Sequence, residues 1–63
     1  NMSEFLNAPT MADCVARIEA AVEPFLNLPP QEARRRIRQT FDTPGARDYA
    51  RRFYNKRSQR EAA

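Results

Sequence analysis

Beyond Met2, only fourteen side chains large enough to build a hydrophobic interior are spread along these 63 residues: Phe5, Leu6, Met11, Val15, Ile18, Val22, Phe25, Leu26, Leu28, Ile37, Phe41, Tyr49, Phe53 and Tyr54. A chain this short rarely gains more than about 3–5 kcal/mol from a single core. Ordering the backbone and side chains opposes that gain at every residue. The expectation is one small domain, completed by a partner or by a second copy of itself. A deep pocket that excludes water is not expected.

The spacing of those side chains is helical. Met11, Val15, Ile18, Val22 and Phe25 alternate steps of four and three, which places them on one stripe. Thr10 precedes the stripe with Asp13 three residues on, an Asp-for-Glu form of the capping box. The stripe continues in phase across Pro24, so a kink, or a break followed by one more turn, is expected before the helix ends near Leu28. Pro29-Pro30 stops it and starts the next helix, with Glu32 in the first turn where the helix dipole favours an acid. Asp42-Thr43-Pro44 is a second stop-start signal, with Thr43 as cap and Pro44 as first residue. The prediction is an all-α fold of two to three helices spanning about 10–28, 30–41 and 44–59. Segments 1–9 and 60–63 are expected to be flexible, apart from a possible turn capped by Ser3. No strand alternation or internal repeat is present. The predicted packing residues are Phe25, Leu28, Ile37, Phe41, Tyr49 and Phe53. Cys14 flanks the first stripe and is expected to pack as a small hydrophobe. Ala12, Ala16 and Ala20 line the back of the first helix, either for close helix approach or simply for helix propensity.

Composition narrows the chemistry. There is no histidine, one cysteine and one glycine. The usual neutral-pH base and commonest zinc ligand are therefore missing, as are a thiolate cluster and a Gly-rich phosphate loop. No acids pair at a spacing suited to acid–base work. No catalytic, cofactor-binding or metal-binding residue is assigned, and an enzyme is not expected. No apolar run is long enough to span a membrane, and no signal-peptide pattern is visible, so neither a membrane protein nor a secreted one is expected.

Charge is divided along the chain. Residues 1–30 hold four acids against Arg17, a net of −3, whereas residues 31–63 hold ten bases against four acids, a net of +6. Ten of the eleven bases are arginine, whose planar fork suits phosphates and carboxylates. The arginine and alanine excess is also what GC-rich codons produce. At 100° per residue, Arg34, Arg35 and Arg38 lie together beside the thin second-helix stripe of Ala33, Ile37 and Phe41, while Arg36 points away and can pair with Glu32. On the third helix the apolar stripe is Ala46, Tyr49, Ala50, Phe53 and Tyr54, and Arg47, Arg51, Arg52, Asn55, Lys56, Ser58 and Gln59 are assigned to the face opposite Tyr49 and Phe53. Arg34, Arg35, Arg38, Arg47, Arg51, Arg52 and Lys56 are the candidate partner or nucleic-acid contacts. A plain solvated face, with Asp48 paired to Arg51 and Arg52, is the alternative. A helix-turn-helix reader is disfavoured, because Gly45 falls inside the start of the third helix rather than in the turn.

The order of motifs also carries a resemblance. An amphipathic helix (Cys14 to Ala21) closes on Phe25-Leu26-Asn27-Leu28-Pro29. Arg34-Arg35-Arg36-Ile37 follows, then an Asp42-Thr43-Pro44 cap before a helix with Tyr49 and Phe53 four apart. Over roughly residues 11–55 the chain resembles the internal scaffolding proteins of gokushovirus-like microviruses, small single-stranded DNA phages. The resemblance implies a protein lining the inside of a procapsid and contacting the major coat protein. Phe25, Leu28, Pro29, Pro44, Tyr49 and Phe53 would then be scaffold-defining positions. The expected location is the virion or procapsid interior, or the cytoplasm of a bacterial host, and the expected partner is coat protein or the chain itself as a homo-oligomer. The competing readings are a small nucleic-acid-binding regulator using the second and third helices, and an adaptor docking an acidic protein surface.

Overall fold

The computed structural model describes residues 10–62. Expectations for Ser3, Phe5 and Leu6, and for flexibility of residues 1–9, lie outside the described residues. Three α-helices and one turn of 3₁₀ helix account for nearly all of the rest: α1 (Met11–Val22), the 3₁₀ turn (Glu23–Asn27), α2 (Pro30–Thr40) and α3 (Pro44–Ala62). No strand occurs among the described residues, and the fold is all-α.

Each boundary has a local cause. At the start of α1 the Asp13 amide donates to Thr10 Oγ1, and the Thr10 amide donates to Asp13 Oδ2, both at 3.1 Å. Two of the orphan amides of the first turn are satisfied this way. The same contacts hold the Asp13 carboxyl below its ordinary pKa, the Thr10 backbone amide contributing most. Pro24 has no N–H, and its ring would meet the carbonyl one turn earlier. The α-helix accordingly stops at Val22, with the Glu23 amide closing on the Glu19 carbonyl, and the chain rewinds into the tighter 3₁₀ turn. Of the two outcomes expected at Pro24, the break with one further turn is the one observed.

Leu28 precedes a proline and is extended (φ −94°, ψ 154°), as the steric conflict with the proline ring requires. Pro29 is extended too, and its carbonyl accepts from the Ala33 amide at 2.9 Å to start α2. Phe41, extended at φ −114° and ψ 128°, ends α2. The Thr43 side chain then receives the Ala46 amide at 3.4 Å, and Pro44 opens α3. The third helix continues to Ala62, beyond the expected end near residue 59.

The core is small. Val22, Ala33, Ile37, Ala50 and Tyr54 are buried, with Ile18, Phe25, Leu26, Leu28, Phe41 and Phe53 partly buried around them. Ala33 and Ala50 let α2 and α3 approach closely. Of the predicted packing residues Ile37 is in the core, Phe25, Leu28, Phe41 and Phe53 form its rim, and Tyr49 is half-buried. Tyr54, a member of the third helix's apolar stripe, is only 5% exposed. Its hydroxyl donates to the Leu28 carbonyl at 3.2 Å.

Two expectations for α1 are corrected. Met11 is 80% exposed and Cys14 is exposed. The reason is reach: the first α1 side chain that packs on the core is Ile18, so the opening turns of α1 project past it. Ala12, Ala16 and Ala20 are likewise exposed.

Candidate partner and anion interface

The arginines of α2 and α3 are sorted by what lies within one turn of them. Glu32 collects Arg35 and Arg36, each 3.0 Å from the same carboxylate oxygen. These hydrogen bonds, Arg36 first and then Arg35, lower the Glu32 pKa. The Arg36 pairing is as expected from its i,i+4 spacing. Arg35 was expected beside Arg34 and Arg38, but at i,i+3 from Glu32 it is drawn to that carboxylate instead.

Arg34 and Arg38 remain on the side of α2 that faces α3. Together with Ile37 they line one wall of a cleft of about 500 Å³, and Arg47, Arg51 and Asn55 of α3 line the other. Arg47 is distinct among them. Its Nε donates to the Phe41 carbonyl and its Nη2 to the Arg38 carbonyl at 3.2 Å. A guanidinium therefore satisfies orphan carbonyls at the end of α2, where the helix dipole is negative. Arg47, predicted as a partner contact, thus also closes one end of the cleft. Arg51 lies 3.5 Å from Asp48, a long contact. Arg34 and Arg38 have no carboxylate partner among the described residues.

A second depression, of about 420 Å³, runs along the other flank of α3, lined by Glu19, Tyr49, Arg52, Phe53, Lys56, Arg57 and Arg60. This corrects the assignment of Arg52 and Lys56 to the face opposite Tyr49 and Phe53. Lys56 is seven residues after Tyr49, two turns on and only about 20° away around the helix, and Arg52 is one turn from Tyr49. Arg52 pairs with Asp48 at 3.2 Å. Arg51, Arg52 and Asp48 thus form the surface trio foreseen for a solvated face.

Contacts distant in sequence hold α1 and the 3₁₀ turn to this flank. Tyr49 donates to Glu19 Oε2 at 2.6 Å, and that hydrogen bond is the first cause of a raised Tyr49 pKa. Arg57 lies 2.8 Å from Glu23 and stacks 5.6 Å from the centre of the Phe53 ring. Sequence reading missed Arg57. Its only available signal was the i,i+4 spacing from Phe53, since Glu23 is 34 residues away.

Among the described residues no three His, Cys, Asp or Glu side chains are grouped to hold a metal ion, and no helix is long and apolar enough to cross a membrane. No family model, curated protein or solved structure matches the chain.

Proposed function

We propose that this chain is a non-enzymatic assembly protein of the internal scaffolding type, which works by laying its helix faces against a coat protein or against further copies of itself. The observation that supports this is the incomplete interior: among the described residues Val22 is the one large side chain fully buried, while six larger apolar residues form a half-covered rim around it. Half-covered aromatics at the edge of a small core are the kind of anchor that drives protein association. Phe25, Leu28, Phe41, Tyr49 and Phe53 are the positions this reading assigns to the interface or its support. The motif order over residues 11–55 points to the same class.

The test is co-expression with a major coat protein of the gokushovirus-like microviruses, together with thermal unfolding followed by circular dichroism over a hundredfold concentration range. The expected results are particles that fail to close without the chain, and a melting midpoint that rises with concentration. A concentration-independent, cooperative transition above about 60 °C would refute the claim of an incomplete fold, because a self-sufficient domain behaves that way.

A further inference from the structure

We propose that the cleft between α2 and α3 is a site for the phosphate backbone of single-stranded nucleic acid, with Arg34, Arg38 and Arg51 as phosphate contacts and Asn55 beside them. This is a function separate from assembly, and it stands or falls independently of it.

The cleft gathers guanidinium groups from two helices, and its lining contains no carboxylate. Arg34 and Arg38 are one turn apart on α2, as Arg47 and Arg51 are on α3, so each wall presents charges spaced by about 6 Å. Among the described residues only Arg51 of these has a carboxylate near it, Asp48 at 3.5 Å and outside the lining, so like charges remain held together at Arg34 and Arg38, and a bound anion relieves their repulsion. Arg47 leaves little freedom at the closed end, since two of its donors are fixed on backbone carbonyls. The cleft is therefore shaped before any ligand arrives, which lowers the entropy lost on binding.

Three features favour nucleic acid over an acidic protein. First, the cleft presents no aromatic side chain, and its apolar member, Ile37, is only 4% exposed. A protein partner would find no anchor there, only rim charges that contribute little affinity. Nucleic acid draws most of its affinity from phosphate neutralisation, which this lining supplies. Second, the Asn55 amide offers both a donor and an acceptor, as base edges require, whereas a carboxylate uses only the donor. Third, a cleft of about 500 Å³ admits part of a single strand, whereas a duplex only lies across its mouth.

The experiment is fluorescence anisotropy of a labelled oligo-dT strand with the 63-residue chain, between 50 and 200 mM salt. Three phosphate contacts give a slope of about −2 in log affinity against log salt, close to a twentyfold loss over that range. The double variant Arg34→Gln/Arg38→Gln should reduce the slope to about −0.7 and the salt-dependent loss to about threefold. Arg34→Lys/Arg38→Lys keeps the charge, removes the fork and guards against misfolding; it should retain the slope while binding more weakly. Lys56→Gln/Arg60→Gln removes the same charge from the opposite flank and should leave affinity within about twofold of the parent. Circular dichroism confirms that each variant folds. Equal losses from the two Gln pairs would overturn the site in favour of diffuse charge. Absence of oligo-dT binding at 50 mM salt would overturn it outright. Competition by polyglutamate as effective as unlabelled oligo-dT at equal charge would reassign the cleft to acidic proteins.

Discussion

Tyr54 offers the sharpest test of how the described core holds together. It is the largest buried side chain, 5% exposed, and it makes one hydrogen bond across the fold, to the Leu28 carbonyl at 3.2 Å. Two substitutions separate its two contributions. Tyr54→Phe keeps the ring and removes the donor. A hydrogen bond of this kind contributes about 0.5–1.5 kcal/mol net. In a domain of this size 1 kcal/mol moves the midpoint by about 4–8 °C. Tyr54→Ala removes the ring as well, for which truncations of buried aromatics cost about 3–5 kcal/mol. Total stability at roughly 0.05–0.15 kcal/mol per residue is only about 3–9 kcal/mol here, so the Ala variant should lose most or all of its cooperative transition at 37 °C. The assay is urea and thermal unfolding by circular dichroism, with every variant at one protein concentration so that association does not shift the midpoint. An unchanged midpoint in Tyr54→Phe would show that the hydroxyl does not tether the turn before α2. A full, parent-like transition in Tyr54→Ala would remove Tyr54 from the core and refute the register of α3.

Gly45→Ala should stabilise the chain by about 0.5–1 kcal/mol, read as a higher urea midpoint with unchanged slope, because Gly45 is helical without positive φ and nothing lies within 4 Å of an added methyl group. Stability should also depend on pH at both extremes. The lowered pKa values of Asp13 and Glu32 stabilise the fold above their unfolded values, and that contribution disappears as acid titrates them through their folded values, below about pH 4. The raised pKa of Tyr49 acts in the opposite sense: its contribution is complete below the ordinary phenol value near 10 and is lost as pH climbs past it. Melting curves from pH 2 to pH 11 should show both declines, and the alkaline one should shrink in Tyr49→Phe.

The features read most directly from sequence were those governed by neighbours a few residues away. Thr10 with Asp13, the Pro29-Pro30 step and Thr43-Pro44 each set a helix end through steric or hydrogen-bonding rules that need no tertiary contact. The same locality explains the Glu32–Arg36 pair. What failed was the finer choice of side within a helix. Tyr49, Phe53 and Tyr54 share a broad stripe, but only contact with α2 and Leu28 decides that Tyr54 is the innermost ring. Arg52 and Lys56 were placed on the wrong flank although they lie within about 60° and 20° of Tyr49 around the helix, on the Tyr49 side of the stripe. Cys14 and Met11 share the periodicity of Ile18 and Val22, yet periodicity does not state how far along a helix its neighbour extends. In the cleft, Arg34, Arg38, Arg47 and Arg51 were all foreseen as candidates. That two come from each wall, and that Arg47 holds the end of α2, depends on the hairpin having closed.

The contacts made by α3 differ greatly in how much chain they enclose. Arg47 reaches carbonyls six and nine residues back, whereas Tyr54, Tyr49 and Arg57 grip partners 26, 30 and 34 residues away. Closing a loop of about 30 residues costs roughly 1 kcal/mol more than closing one of nine, by the logarithmic dependence on length. Loop closure alone therefore favours forming the α2–α3 hairpin first, latched by Arg47. Glu19, Glu23 and Leu28 then dock on Tyr49, Arg57 and Tyr54 of that hairpin. Loss of α1 would uncover Tyr54 and the aromatic flank, while the arginine cleft, which α1 does not line, would stay whole.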